Sequence, residues 1–127
     1  MKPLSAKELL VREMLSRVAD KWTLIVLDVL ASDGELRFTR LRERVGGVSQ
    51  KMLTKTLRQL ERDGLVKRRV HAIVPPRVEY KLTPLGESLG ESVCGIWNWV
   101  EKHLSAVARS RRAYDRAPRP APMEAEA

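Results

Sequence analysis

The sequence has few of the residues from which catalytic and metal centres are usually built. Among its 127 residues it has one cysteine, Cys94, and two histidines, His71 and His103. A single cysteine excludes an intramolecular disulfide and a multi-cysteine metal site, and two widely separated histidines do not predict a zinc site. Gly-x-Ser-x-Gly, Walker and dinucleotide glycine motifs are absent as well. We therefore expect no enzyme, no metal and no cofactor.

Long apolar segments are also missing. No run is long enough to cross a membrane, and the first residues lack the charged-then-apolar pattern of a signal peptide. We expect a soluble, cytoplasmic protein.

Positive charge is what the sequence has in excess. Twenty-four Lys and Arg residues face 16 Asp and Glu residues, which gives a formal net charge of +8. This excess favours a polyanionic partner, nucleic acid before a membrane surface. The length fits one domain with a modest core, to which a partner subunit would add stability.

The most informative segment runs from Gly46 to Arg69. Ser49 is a good N-cap for a helix that reaches about Asp63, and Gly64 fits the left-handed position that ends a helix. Apolar residues at helical spacing predict its buried face, and the opposite face is polar and cationic. The predicted buried residues are Met52, Leu53, Thr56, Leu57 and Leu60. Such a helix is typical of major-groove readers, although a solvated face of an ordinary amphipathic helix fits equally well.

Three further helices are predicted before this segment, at about residues 6–18, 21–32 and 38–45, with a very short strand at 35–37. The second has little polar surface and should be central in the core. The third ends at Gly46-Gly47, and two short helices joined by a glycine-containing turn match helix-turn-helix geometry.

Two β-like runs follow Gly64 and flank Pro75-Pro76, which predicts an antiparallel hairpin, or wing, at about Leu65–Thr83. Its cations can reach phosphates or the neighbouring minor groove. They are Arg68, Arg69, His71 and Arg77. Two alternatives stay open: Arg77 as a structural partner of Glu79 or Glu61, and His71 as a simple strand residue.

A last helix is predicted from Pro84 to about Ala108. Its apolar stripe is longer than a small winged domain needs, which indicates a dimer, and the glycines within it would let another helix approach closely. Residues 109–127 are rich in Arg, Pro and Ala and are interpreted as a mobile tail, and residues 1–5 as a flexible N-terminus. The fold class is therefore mainly α with a small β-hairpin: a winged helix-turn-helix domain over residues 6–108.

Several motifs make the sequence recognisable, notably Lys21-Trp22-Thr23, the run from Val48 to Thr54, and PP-x-VEY-x-LT-x-x-G from Pro75 to Gly86. Residues from about Leu9 to Glu101 closely resemble the HxlR-type (MarR-like) family of bacterial winged-helix transcription regulators. The resemblance implies a homodimer with the terminal helices at its interface, an operator of roughly two-fold symmetry, and control of nearby genes. The expected interface residues are Leu9, Leu10, Leu89, Val93, Ile96, Trp97, Val100 and Leu104.

Some members of that family sense oxidants through a cysteine near the N-terminus. The corresponding position here is about Leu9, so the resemblance does not extend to a thiol switch. Cys94 stands among apolar residues, which predicts a packed, inert thiol, with a redox role at the dimer interface as the alternative.

The candidate DNA contacts lie mostly on the helix that begins after Ser49. Gln50, Lys51, Thr54 and Arg58 are predicted to reach the major groove, and Lys55 the DNA backbone. Ser49 caps the helix and is expected to touch a phosphate beside its positive end. Arg37 and Arg40 either flank the phosphate backbone or belong to a solvated face shared with Arg42 and Arg44.

Other functions fit the same sequence. One is a non-specific architectural nucleic-acid binder, and another is a ligand-binding or protein-recruiting module whose basic face only keeps it soluble. The three tryptophans, Trp22, Trp97 and Trp99, are expected in core and interface packing, with a pocket for a small-molecule effector as the alternative.

Overall fold

The computed structural model describes residues 2–118, which form five helices and three strands. The helices are α1 Ala6–Val18, α2 Lys21–Asp33, α3 Phe38–Val45, α4 Gln50–Arg62 and α5 Pro84–Arg116; the strands are β1 Leu36–Arg37, β2 Val66–His71 and β3 Arg77–Leu82. This confirms the mainly α class with a small antiparallel β-sheet. The chain divides into two compact units, the first ending at Cys94 and the second beginning at Gly95.

The core of the first unit is built around α2. Val26 and Leu27 are fully buried, as predicted for a helix with little polar surface. Leu41 of α3 and Leu53 and Leu60 of α4 are fully buried against the same core. Because α3 and α4 bury one side each, their other sides remain available to solvent.

The sheet has the order β1-β3-β2 with antiparallel pairing throughout. In the wing, Val66 pairs with Leu82 at one end and His71 with Arg77 at the other. Pro75 and Pro76 lie in the connecting loop, where a missing amide donor costs no ladder bond. The predicted hairpin and the predicted short first strand are both confirmed.

Local capping explains where the helices begin. Asp20 accepts a hydrogen bond from the Thr23 amide at 3.0 Å, and Ser49 accepts one from the Met52 amide at 3.0 Å. Ser5, which the sequence interpretation left in a flexible terminus, caps α1: its hydroxyl accepts from the Glu8 amide at 3.1 Å. Each cap satisfies an amide that has no partner inside its helix.

The end of α4 has the expected left-handed glycine. Gly64 has φ of 78°, and the Leu65 amide donates to the Leu60 carbonyl at 2.9 Å. This is the hydrogen bond of a Schellman motif, and it turns the chain from α4 straight into β2.

The predicted end of the last helix near Ala108 was wrong, because α5 continues to Arg116. Residues 109–116 are mostly arginine and alanine, which favour a helix, and no proline occurs between Pro84 and Pro118. The rest of the predicted tail, residues 119–127, lies outside the described residues.

Two apolar predictions were also wrong. Val93, expected at a dimer interface, is 1% exposed and belongs to the core of its own chain. Met52, expected in the buried face of α4, is 37% exposed, because it sits at the edge of that face beside the helix N-terminus. None of the helices within residues 2–118 combines the length and apolar content needed to cross a membrane.

Candidate nucleic-acid interface

The turn between α3 and α4 is held by one arginine. Gly46 and Gly47 have φ of 72° and 69°, the left-handed region that glycine adopts most easily. The Arg42 Nε donates to the Val48 carbonyl at 3.1 Å, one residue before the Ser49 cap. Sequence reasoning treated Arg42 as a surface cation; the structure gives it the role of fixing the start of α4 relative to α3.

The outward face of α4 brings the predicted base-reading residues together. These four residues, Gln50, Lys51, Thr54 and Arg58, line one open groove together with Lys55, which was predicted to contact the DNA backbone, and Gln59, which was not predicted. Within the described residues, no carboxylate lies within ion-pairing distance of the three cations of this face. Their charges are therefore not neutralised by ion pairs with the part of the chain that the structure describes.

The N-terminus of α4 is suited to an anion. Its first turn contains no acidic side chain, and its amides carry the positive end of the helix dipole. The Ser49 hydroxyl accepts from the Met52 amide, so its own hydrogen remains free to be donated. A phosphate oxygen could meet both features at this point.

The wing cations proposed from sequence are each paired with a carboxylate. Arg68 Nε lies 3.6 Å from Glu61, and Arg69 contacts Glu35 at 3.2 Å. These side chains remain 49% and 44% exposed. Since exposed ion pairs contribute about 0–1 kcal/mol, a phosphate can replace the carboxylate at little cost.

Arg77 has the structural partner that the sequence left as the alternative. Its Nε lies 2.9 Å from Glu79, although without hydrogen-bond geometry, and His71 Nε2 lies 3.6 Å from the same carboxylate. Across the sheet Glu79 is also the register partner of Arg37 and Arg69. One carboxylate thus stands in the middle of a basic sheet face.

Sequence reasoning missed two lysines on that face. Lys67 of β2 and Lys81 of β3 are register partners across the hairpin. Like charges directly opposite each other destabilise a sheet, so a polyanion against this face would relieve their repulsion. The alternation of charged residues along the two strands was visible in the sequence. Only the strand register shows that these two lysines lie opposite each other.

The α3 arginines have different surroundings. Arg44 donates two hydrogen bonds to the Asp33 carboxylate, at 2.6 and 3.2 Å. This bidentate contact joins the end of α3 to the end of α2. Arg40 is exposed, and its one ion pair with a described residue is to Glu43 of its own helix at 3.2 Å. Of these two, Arg40 is the one whose charge can turn toward a ligand.

Exposed apolar side chains occur in each unit. In the first, Leu9 and Leu10 of α1 are 55% and 60% exposed, whereas Leu89 is partly buried against the core. In the second, the exposed ones include Ile96, Trp97, Val100 and Leu104. Trp22 packs against the core as expected, while Trp99 is exposed and stacks on the His103 ring at 4.4 Å between centroids.

The single thiol is half-buried in the first unit. Cys94 Sγ donates to Asp28 Oδ1 at 3.6 Å. Burial raises the pKa of Cys94, and the hydrogen bond to Asp28 and the negative charge there raise it further. This agrees with the prediction of a packed thiol of low reactivity.

Comparison with known proteins gives a consistent answer. Residues 17–108 match the family model described as HxlR-like helix-turn-helix. The HTH-type transcriptional regulator YtfH of Escherichia coli strain K12 is 44% identical over 100 residues, which cover 79% of each chain. The solved structure of ytfH from Salmonella typhimurium has a TM-score of 0.75 at 43% identity, covering 80% of this chain and 90% of that one. The redox regulator HypR in its oxidised form has a TM-score of 0.67 at 39% identity, covering 72% and 94%.

Proposed function

This chain belongs to the HxlR-like helix-turn-helix family of transcriptional regulators, and we propose that it acts as a homodimer on a pseudo-palindromic DNA operator. The observation that carries the proposal is the outward face of α4. Its cations pair with no carboxylate among residues 2–118 and share one groove with hydrogen-bonding side chains, while Leu53 and Leu60 on the other side of the helix are fully buried. That combination is what a helix needs to enter the major groove while its other side holds it rigidly. A regulator of this kind works on the chromosome, so we place it in the cytoplasm.

Within α4 the side chains divide by the atoms they offer. Gln50 can bond an adenine edge through its amide, and Arg58 can bond the two acceptors of a guanine. Lys51 and Thr54 have shorter or less directional groups that reach either a base or a phosphate. Ser49 and Lys55, at the helix start and edge, contact the backbone.

The wing contacts lie on the sheet. Arg68, Arg69 and Arg77 exchange their carboxylate partners for phosphates or enter the neighbouring minor groove. Lys67 and Lys81 add charge to the same face as Arg69 and Arg77. Arg40, on α3, flanks the phosphate backbone. These contacts give affinity and register rather than base discrimination.

In this proposal the dimer interface consists of the exposed leucines of α1 and the exposed apolar residues of distal α5, the part of α5 that follows Cys94. Isolated exposed apolar residues are normal on a protein surface, but rows of them along helices indicate a contact with another chain. A two-fold dimer then presents two α4 helices to two half-sites one helical turn apart.

The test is binding of the purified protein to the duplex upstream of its own coding sequence, followed by fluorescence anisotropy. Near-physiological salt and an excess of unrelated duplex are essential, since non-specific binding is mostly electrostatic. We expect binding that survives the competitor, with a preference of about 10³-fold or more. Equal binding to every duplex would support an architectural protein, and binding to none would support a recruiting module.

A further inference from the structure

The second unit contains a helical segment that the family match does not cover. That match ends at residue 108, whereas α5 continues without a break to Arg116. The eight additional residues, RSRRAYDR, carry four arginines and one aspartate. This segment is therefore a strongly cationic extension of a helix whose earlier part has one apolar side.

Helical spacing separates most of the cations from the apolar residues; Arg111, four residues after Val107, is the exception and lies on the apolar side. Ile96, Val100, Leu104 and Val107 recur at three- and four-residue intervals and occupy one side. Lys102, Arg109, Arg112 and Arg116 recur at intervals of seven, three and four, which places them together on the opposite side. We call these four cations the basic stripe. All four residues are exposed.

Contacts among the described residues do not account for the basic stripe. Among residues 2–118, no carboxylate comes within ion-pairing distance of any of its four members. The dipole of α5 favours a cation in its last turn, which explains Arg116 alone. Arg109 and Lys102 lie two and four turns from the end of the helix and gain little from it.

We propose that the basic stripe binds phosphates of duplex DNA beyond the bases that α4 reads; this rests on the proposed function. The stripe extends about 21 Å along the helix, long enough to meet several phosphates of one strand. Three of its members are arginines, whose planar guanidinium groups bind phosphate oxygens through two parallel hydrogen bonds.

The charge pattern of α5 by itself fits either DNA or a membrane surface, because a helix that lies on a bilayer also carries its cations opposite its apolar side. We commit to DNA because the outward face of α4 carries a second set of cations and hydrogen-bonding side chains that suits a duplex. If the apolar side contacts a second subunit, the stripe still faces outward.

The test compares the salt dependence of DNA binding in three full-length proteins. The first is the parent, the second carries Arg109→Gln, Arg112→Gln and Arg116→Gln, and the third carries Lys2→Gln, Lys7→Gln and Arg12→Gln. The third loses the same charge from exposed N-terminal positions that have no proposed DNA contact. Glutamine is a good helix former, so α5 and α1 should persist, which circular dichroism checks.

The logarithm of the binding constant falls as the logarithm of the salt concentration rises, and each lost phosphate contact makes this slope shallower by about 0.9. A dimer that loses six contacts should therefore have a slope shallower by about 5, with unchanged preference for the operator over unrelated duplex. The N-terminal variant should retain the parent slope. Replacing the same three arginines with lysine should largely restore it, because lysine also binds phosphate.

Three results would overturn the proposal in different ways. A parent that fails to bind operator DNA refutes the proposed function and this inference with it. If the parent binds operator DNA and the variant without the three arginines has the same salt dependence as the parent, the proposed function stands and the DNA contact of the basic stripe is refuted. If that variant instead loses binding to phosphatidylserine vesicles, the partner of the stripe is a membrane.

Discussion

Gly86, in the first turn of α5, lies against the backbone carbonyl of Leu65, and a Cβ atom there would overlap that oxygen. The same carbonyl accepts a hydrogen bond from the Thr83 amide at 3.0 Å, and the Leu65 amide closes the end of α4. The Thr83 hydroxyl completes the junction by donating to the Gly64 carbonyl at 2.6 Å. Glycine at position 86 thus lets α5 pack on the point where α4 and β2 meet.

Gly86→Ala should destabilise the protein by about 1–3 kcal/mol. In a helix, alanine is more stable than glycine by up to about 1 kcal/mol. At position 86, however, the methyl group of alanine would push the backbone of α5 away from the backbone of Leu65. Gly95→Ala is the matched control, since Gly95 is helical with open space where its Cβ would be. It should raise stability slightly. Urea unfolding followed by circular dichroism measures both; a Gly86→Ala protein as stable as the parent would contradict the packing.

Local signals made most of the fold predictable. Asp20 and Ser49 cap their helices by bonds to residues three positions away, so the sequence contains both partners. The close approach at Gly86 was predicted too, but with another helix as the neighbour instead of the Leu65 backbone. That neighbour is 21 residues away and depends on how α5 packs, which helical spacing does not reveal.

The positions of the candidate DNA-binding residues were predictable from the sequence to a similar extent. Helical spacing placed Gln50, Lys51, Thr54, Lys55 and Arg58 on one face, and the structure confirms that they share a groove. The sequence did not reveal that Arg42 bonds the Val48 carbonyl, and it named Glu79 and Glu61 as alternative partners of Arg77 without choosing between them. Long flexible side chains choose partners by tertiary distance, so their bonds follow from the fold and not from the pattern.

Arg58→Ala should weaken operator binding and relax discrimination at one base position. If the side chain bonds a guanine, the loss should be about 1–3 kcal/mol in binding free energy. Arg12→Ala on α1 removes the same charge from an exposed position outside the candidate site and should change affinity little. Anisotropy titrations with the operator and with single-base variants provide the measurement. Equal affinity of Arg58→Ala and parent would remove Arg58 from the base-reading set.

Ile96→Asp should convert a dimer into monomers if distal α5 forms the interface. Ile96 is 49% exposed in the single chain, so the charge is harmless to the monomer but would be buried without a partner in the dimer. Asn98→Asp introduces the same charge on the other side of the helix and should leave the dimer intact. Light scattering at micromolar concentration distinguishes the two. A dimeric Ile96→Asp protein would place the interface elsewhere.

The Cys94 thiol should be alkylated more slowly at pH 8 than a cysteine in an unstructured peptide. Burial first, and then the hydrogen bond and charge of Asp28, raise the pKa of Cys94, so less of the reactive thiolate is present at a given pH. Asp28→Asn removes the charge, which should lower the pKa of Cys94 and speed its reaction with iodoacetamide. The rise of the alkylation rate with pH should shift to lower pH.

Asp115→Asn is the control for that measurement, because Asp115 is exposed and is not among the groups that shift the Cys94 pKa. Its reaction rate should equal that of the parent. If Asp28→Asn leaves the rate and its pH profile unchanged, Asp28 does not hold the thiol protonated. A parent thiol that reacts as fast as the peptide would go further and contradict the packed, unreactive environment, reopening the redox alternative for Cys94.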